Sequence, residues 1–303
     1  MFKTRAAFLL TLSSLLRLRR LPLNETNRQV ILVTNLMGLY YAVCILGDKI
    51  GLPMESAGSK FFDLKKPSVV QASGASWTGL LLCTMLADGF YVCFKCSESA
   101  RLRYCVLGLV CACQRLTLQI AHSTPAIRAV GGISAAKEYT PGIIASFVFI
   151  GLFASVVQTS NLPAGKVWFK PATTTAKCLF GMTLGCLGFF FQMTMTDFLA
   201  VAYNVRGKRT AIEYAQMDWA CVMLMGTIIG LIFAQSYLNE NEQVGFAKVR
   251  TVATLCMMYL MRTEKSITPC KFHKESMIQM GIMAAMGIYA AHGNDIMKKL
   301  KLA

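Results

Sequence analysis

Acidic residues and histidines are scarce in this chain: 15 Asp and Glu stand against 31 Lys and Arg, with three histidines in 303 residues. His122 and His292 fall at the ends of apolar segments and His273 in a polar stretch. Haem or chlorophyll ligation, which needs histidine at mid-span, therefore has no candidate. Charge of either sign is low, at 15% of residues, against about 25% in soluble domains. HExxH, GxSxG, the phosphate-binding GxxxxGK[ST] and DxD-type clusters are all missing, so the usual metalloprotease, hydrolase and nucleotide sites are excluded. No polar stretch between apolar runs is long enough to fold as a soluble domain.

What the chain has instead is length in apolar runs. Hydrophobic residues make up 55% of the sequence, with mean hydropathy +0.49, and they are blocked rather than dispersed. Six segments stand out: Val30–Leu46, Ser76–Phe94, Tyr104–Ala121, Pro141–Gln158, Cys178–Met195 and Trp219–Leu238. A bilayer core about 30 Å thick takes roughly 20 residues of helix to cross, and each segment approaches or reaches that length. The expected fold is an all-α polytopic membrane protein with six clear transmembrane helices. Val249–Met261 and Met277–Ala291 are shorter and read as a thin C-terminal helical hairpin around Pro269. The implied organisation is a basic segment at 1–29, a three-helix unit at 30–140, a second at 141–240, and the hairpin with a basic C-terminus at 241–303.

The two units echo each other. Gly38-Leu39-Tyr40-Tyr41-Ala42-Val43 matches Gly151-Leu152-Phe153-Ala154-Ser155-Val156, and Lys66-Pro67 matches Lys170-Pro171. A Gly-containing span then ends near an acid in each half, at Asp88 and Asp197. Three spans per copy would invert the second relative to the first, as in many secondary transporters.

Residues 1–24 carry Lys3, Arg5, Arg17, Arg19 and Arg20, several hydroxyls and no acid. That composition is that of an organelle-targeting segment and points to the mitochondrial inner membrane, with endoplasmic reticulum or plastid membrane as alternatives. Lys and Arg in the loops favour the N-terminus on the untranslocated side. Beside apolar segments they read as contacts to anionic lipid headgroups. Nucleic acid is not an expected partner, because no basic stripe with interleaved aromatics is present.

Ionisable groups inside spans are costly and mark function or pairing. The candidates are Asp88, Arg115, Asp197 and Asp218, with Arg115 placed near mid-span and expected to pair with Asp88 or Asp197. Cys93-Phe94-Lys95-Cys96 has redox or half-zinc spacing, but no second pair or nearby histidine completes it. Neither metal, cofactor nor catalytic residue is assigned. Gly181-x-x-x-Gly185 and Gly226-x-x-x-Gly230 let helix backbones approach closely. The Met-rich hairpin reads as adaptable packing.

The poverty of ionisable groups in the spans points to a non-enzymatic accessory or scaffold subunit of a larger membrane complex. The alternative is a secondary transporter or channel of two inverted three-helix repeats, using Arg115, Asp88 and Asp197.

Overall fold

A computed structural model describes residues 23–46, 68–130, 133–159, 171, 173–195, 198–204, 211–263, 267 and 269–301. All regular structure among them is helical: α1 (Leu23–Leu46), α2 (Val69–Lys95), α3 (Glu98–Val130), α4 (Ile133–Thr159), α5 (Thr174–Met195), α6 (Phe198–Tyr203), α7 (Ala211–Tyr237), α8 (Glu240–Thr263) and α9 (His273–Lys301). Apart from the single-turn α6, these helices run antiparallel in succession between two ends of one bundle. Contacts far apart in sequence fix those ends. At the first, the Ser97 N–H donates to Glu242 Oε1 (2.6 Å), Cys93 Sγ donates to the Arg28 carbonyl (3.4 Å) and Thr175 Oγ1 donates to the Ala290 carbonyl (2.9 Å). At the second, Ser68 Oγ donates to Glu213 Oε1 (3.2 Å), Ser73 bonds Tyr203, and the Lys271 N–H donates to the Ala202 carbonyl (2.6 Å).

Four of the helices are long and apolar enough to cross a membrane: Val69–Lys95, Thr174–Thr194, Trp219–Tyr237 and Glu240–Thr263. Large apolar side chains such as Leu36, Phe147, Phe191, Val252 and Ile282 are exposed on the bundle, where lipid would cover them. The chain is an integral membrane protein on this measure. Three of the six expected spans, those of α2, α5 and α7, are among the four.

The fourth corrects the sequence reading. Val249–Met261 is too short to span because it leaves out Glu240, Glu242 and Lys248. Those residues are the first turns of α8. Acidic residues suit a helix N-terminus, where unpaired N–H groups carry partial positive charge. Asn239 Oδ1 accepts the Glu242 N–H (3.0 Å), and Glu242 Oε2 accepts the Asn239 N–H (3.1 Å), a reciprocal capping box. Glu242 Oε1 meanwhile holds the α2–α3 turn through Ser97. Glu242→Ala removes the two carboxylate contacts, to the Asn239 and Ser97 N–H groups, and keeps the backbone bond to Asn239 Oδ1. It should lower stability by about 1–2 kcal/mol, read as a lower midpoint in thermal unfolding of the purified protein. Met277–Ala291 is likewise only the centre of α9, a helix of 29 residues, and α4 begins ahead of the boundary drawn at 140.

Helix α7 lies at the centre, packed on α2, α3 and α5, while α8 and α9 pack against each other and α9 against α5. The small-residue stripes serve these contacts. A Cβ on Gly181 would come within 2.8 Å of Met286 Sδ, and one on Gly185 within 3.7 Å of Met283 Sδ. The methionines of α9 thus fill the groove left by the glycines of α5. Gln279 Nε2 also donates to the Gly185 carbonyl (3.0 Å).

Candidate functional site

The deepest polar cluster pairs Asp88 with a residue the sequence reading had not singled out. Arg250 Nη2 donates to Asp88 Oδ2 and to the Thr227 carbonyl (2.9 Å). Both side chains are almost fully buried, at 3% and 2% exposure. At about 1.5 Å per residue, Arg250 lies about 15 Å into α8, and Asp88 about 11 Å from the end of α2. Both residues thus lie inside helices long and apolar enough to span a membrane, Asp88 between the middle of α2 and its end. The expected Asp88–Arg115 pair is not formed.

Glycine at position 230 makes the pair fit. A Cβ there would lie 2.9 Å from Asp88 Oδ2 and 3.0 Å from Arg250 Nη2. One turn away, a Cβ on Gly226 would meet the thioether end of Met85 at 2.5 Å. The Gly226–Gly230 stripe is thus the face of α7 over which α2 and the ion pair pass. Arg250 also lies 5.5 Å from the Phe246 ring centroid.

The pair forms the floor of two cavities. The larger, about 130 Å³, lies among α1, α2, α3, α4 and α7. Asp88, Asn35, Tyr104 and Gly230 line its deep end; Leu82, Leu107, Phe153 and Arg115 line the rest. A smaller one of about 50 Å³ lies on the other side, with Arg250, Thr84, Thr227, Cys186, Met257 and Gln279 in its wall. By helix register both extend from the ion pair toward the second end of the bundle. Toward the first end the packing closes. Tyr91 donates to the Glu242 carbonyl (2.9 Å), Tyr104 meets Phe233 edge-on with centroids 5.4 Å apart, and Arg103 covers the Tyr237 ring at 4.5 Å.

Several polar atoms here are buried with no hydrogen-bond partner among the described residues: Asp88 Oδ1, Asn35 Nδ2, Arg115 Nη2 and Arg250 Nε. Buried polar groups are nearly always satisfied, and each orphan costs about 1–3 kcal/mol. Asp88, Asn35 and Arg115 line the larger cavity and Arg250 the smaller, and these are places where water or a solute completes the bonding.

Arg115 is at the middle of its helix, where the sequence places it. Helix α3 runs from Glu98 to Val130, so Arg115 lies about 26 Å along a helix of about 50 Å. Its Nε donates to Ser146 Oγ (2.9 Å) and its guanidinium stacks 4.4 Å from the Phe149 centroid. Asp197 lies outside the described residues. Asp218 falls within α7, and its side chain is outside the described set. The sequence signal for Arg250 was present in principle: Arg250, Thr254, Met257 and Met261 recur at helical spacing and are all buried. The acids ahead of them masked the helix.

Among the described residues no cluster of His, Cys, Asp and Glu could hold a metal ion. Cys96 is a poor redox or metal thiol. Burial, and after it the Glu242 carboxylate, push it up to about 12, whereas a reactive cysteine needs the thiolate. No family model matches the chain, and no curated protein or solved structure is significantly similar to it.

Proposed function

We propose that this protein is a membrane transporter or channel for a small polar solute, with Asp88 and Arg250 at the floor of its path. The observation that carries the reading is the buried Asp88–Arg250 pair at the base of a cavity whose polar atoms lack partners. Ionised side chains at mid-membrane are expensive unless paired or used. A purely structural pair tends to satisfy all its donors and acceptors, and this one does not. The cavities extend from the pair toward one end of the bundle, and toward the other Tyr91 bonds Glu242 and Tyr104 packs on Phe233. A path sealed on one side of its binding site is what one state of an alternating-access cycle requires.

The accessory-subunit reading draws on scarcity of ionisable groups in the spans, and the buried Asp88–Arg250 pair is what favours transport over it. Two inverted units find support in helix direction: α1 and α4, α2 and α5, and α3 and α7 run in opposite senses. Packing is less symmetric, since α1 lies on α2 whereas α4 lies chiefly on α3. Four helices are long and apolar enough to cross, and in this reading the other long helices are further crossings. The acid-free basic segment at 1–24 supports the mitochondrial inner membrane as the location.

The test is solute entry into vesicles reconstituted with the purified chain, followed by light scattering after an osmotic step, across neutral, anionic and cationic small solutes. At least one solute is expected to enter faster than into protein-free vesicles. Identical traces for every solute would remove the proposal.

A further inference from the structure

The larger cavity carries a charge with no carboxylate partner among the described residues. Arg250 offsets Asp88 at its deep end. At its other end Arg115 has a hydroxyl on Nε and an aromatic face beside it, but no carboxylate partner among the described residues. Its Nη2 is buried and unpartnered. An isolated guanidinium away from water needs an anion, and its planar fork matches a carboxylate. Between Arg115 and the polar floor the lining is mostly carbon: Leu82, Met85, Leu107, Gly108 and Phe153. Along α3, Arg115 and Tyr104 are separated by about 16 Å, so the cavity is long rather than round.

From this we propose that the cavity binds a short aliphatic carboxylate. The carboxylate takes hydrogen bonds from Arg115 Nη2, and the carbon chain runs between Leu82, Leu107 and Phe153 toward Asn35 and Asp88. A bare inorganic anion would use Arg115 but leave the apolar wall empty. An ammonium would meet uncompensated positive charge at Arg115. The volume of about 130 Å³ is that of several water sites, since one needs about 10–15 Å³ on this scale, and a short chain can occupy it in their place. The inference rests on reading this cavity as the solute site.

The experiment measures thermal unfolding of the protein in lipid nanodiscs while titrating hexanoate, hexanol, hexylammonium and chloride. Hexanoate is expected to raise the midpoint saturably, and the other three to leave it unchanged at the same concentrations. In Arg115→Gln the half-saturating concentration should rise by about tenfold or more, the worth of a lost charged hydrogen bond. Arg115→Lys, which keeps the charge, should fall between the two. If either variant fails to fold, equilibrium binding of radiolabelled hexanoate to the wild type, with hexanol, hexylammonium and chloride as competitors, gives the same discrimination.

An equal response to hexanol would overturn the proposal, because the carboxylate would then contribute nothing. An equal response to chloride would overturn it as well, since the chain would be irrelevant. No hexanoate response alongside protein-dependent entry of some other solute would remove the ligand class and leave the transport reading standing. No response and no solute entry would remove both.

Discussion

Arg250→Gln should lower the stability of the folded protein by about 3–5 kcal/mol, the cost of leaving one member of a buried ion pair uncompensated. Asp88→Asn should do so by a similar amount. The magnitude follows from where the pair is. Both side chains are almost fully buried, and the Asp88 carboxylate has no second described cation beside it to replace Arg250. An ordinary interhelical hydrogen bond in a membrane protein is worth less, about 0.6 kcal/mol on average, so the two effects are separable. The double change Asp88→Asn with Arg250→Gln removes both charges together and should recover most of the loss. Double-mutant cycles in denaturant or heat read this directly. Additive losses in the double variant would show that the two side chains do not depend on each other.

Gly230→Ala should destabilise by about 1–3 kcal/mol, the usual cost of forcing a methyl group into a filled space. The methyl would press on Asp88 Oδ2 and Arg250 Nη2 at once. Those atoms hold each other and the Thr227 carbonyl, so neither can move without breaking the pair. Gly226→Ala is the control. Its methyl would meet only the thioether end of Met85, which can swing aside, and alanine gains about 1 kcal/mol over glycine in a helix. That variant should be close to neutral or slightly stabilising. The contrast between two glycines one turn apart, measured by thermal unfolding, separates a general need for small residues from a need to seat the ion pair. Equal losses at both positions would point to helix approach alone.

The helical membrane class was legible in the sequence because it rests on one robust signal, the length of apolar runs against bilayer thickness. So were Gly226 and Gly230 as packing positions, and Asp88 as a costly buried acid. The partner of Asp88 was not legible, for a physical reason. Helix α8 opens on Glu240 and Glu242 and carries Lys248 and Arg250 within its first ten or so residues. Hydropathy averages these charges into a loop, although the acids are capping and the arginine is neutralised from another helix. Neutralisation across the bundle is a tertiary fact with no local trace. Arg115 was legible as a mid-helix residue, because α3 extends past the apolar run at both ends, from Glu98 to Val130, and its centre stays in place. Its partner was not legible: among the described residues Arg115 bonds Ser146 Oγ. In the Met-rich C-terminal part, Met283 and Met286 lie against Gly185 and Gly181, contacts that adaptable methionine packing would make.

The account holds that Asp88 and Arg250 work on a solute as well as holding α2, α7 and α8 together. The most direct test is solute entry into vesicles carrying Asp88→Asn with Arg250→Gln, once thermal unfolding shows that this double variant is folded. The account predicts that the protein-dependent entry seen with the wild-type chain falls to the level of protein-free vesicles. Wild-type entry rates in a folded double variant would contradict it and leave the pair as a structural tie between helices.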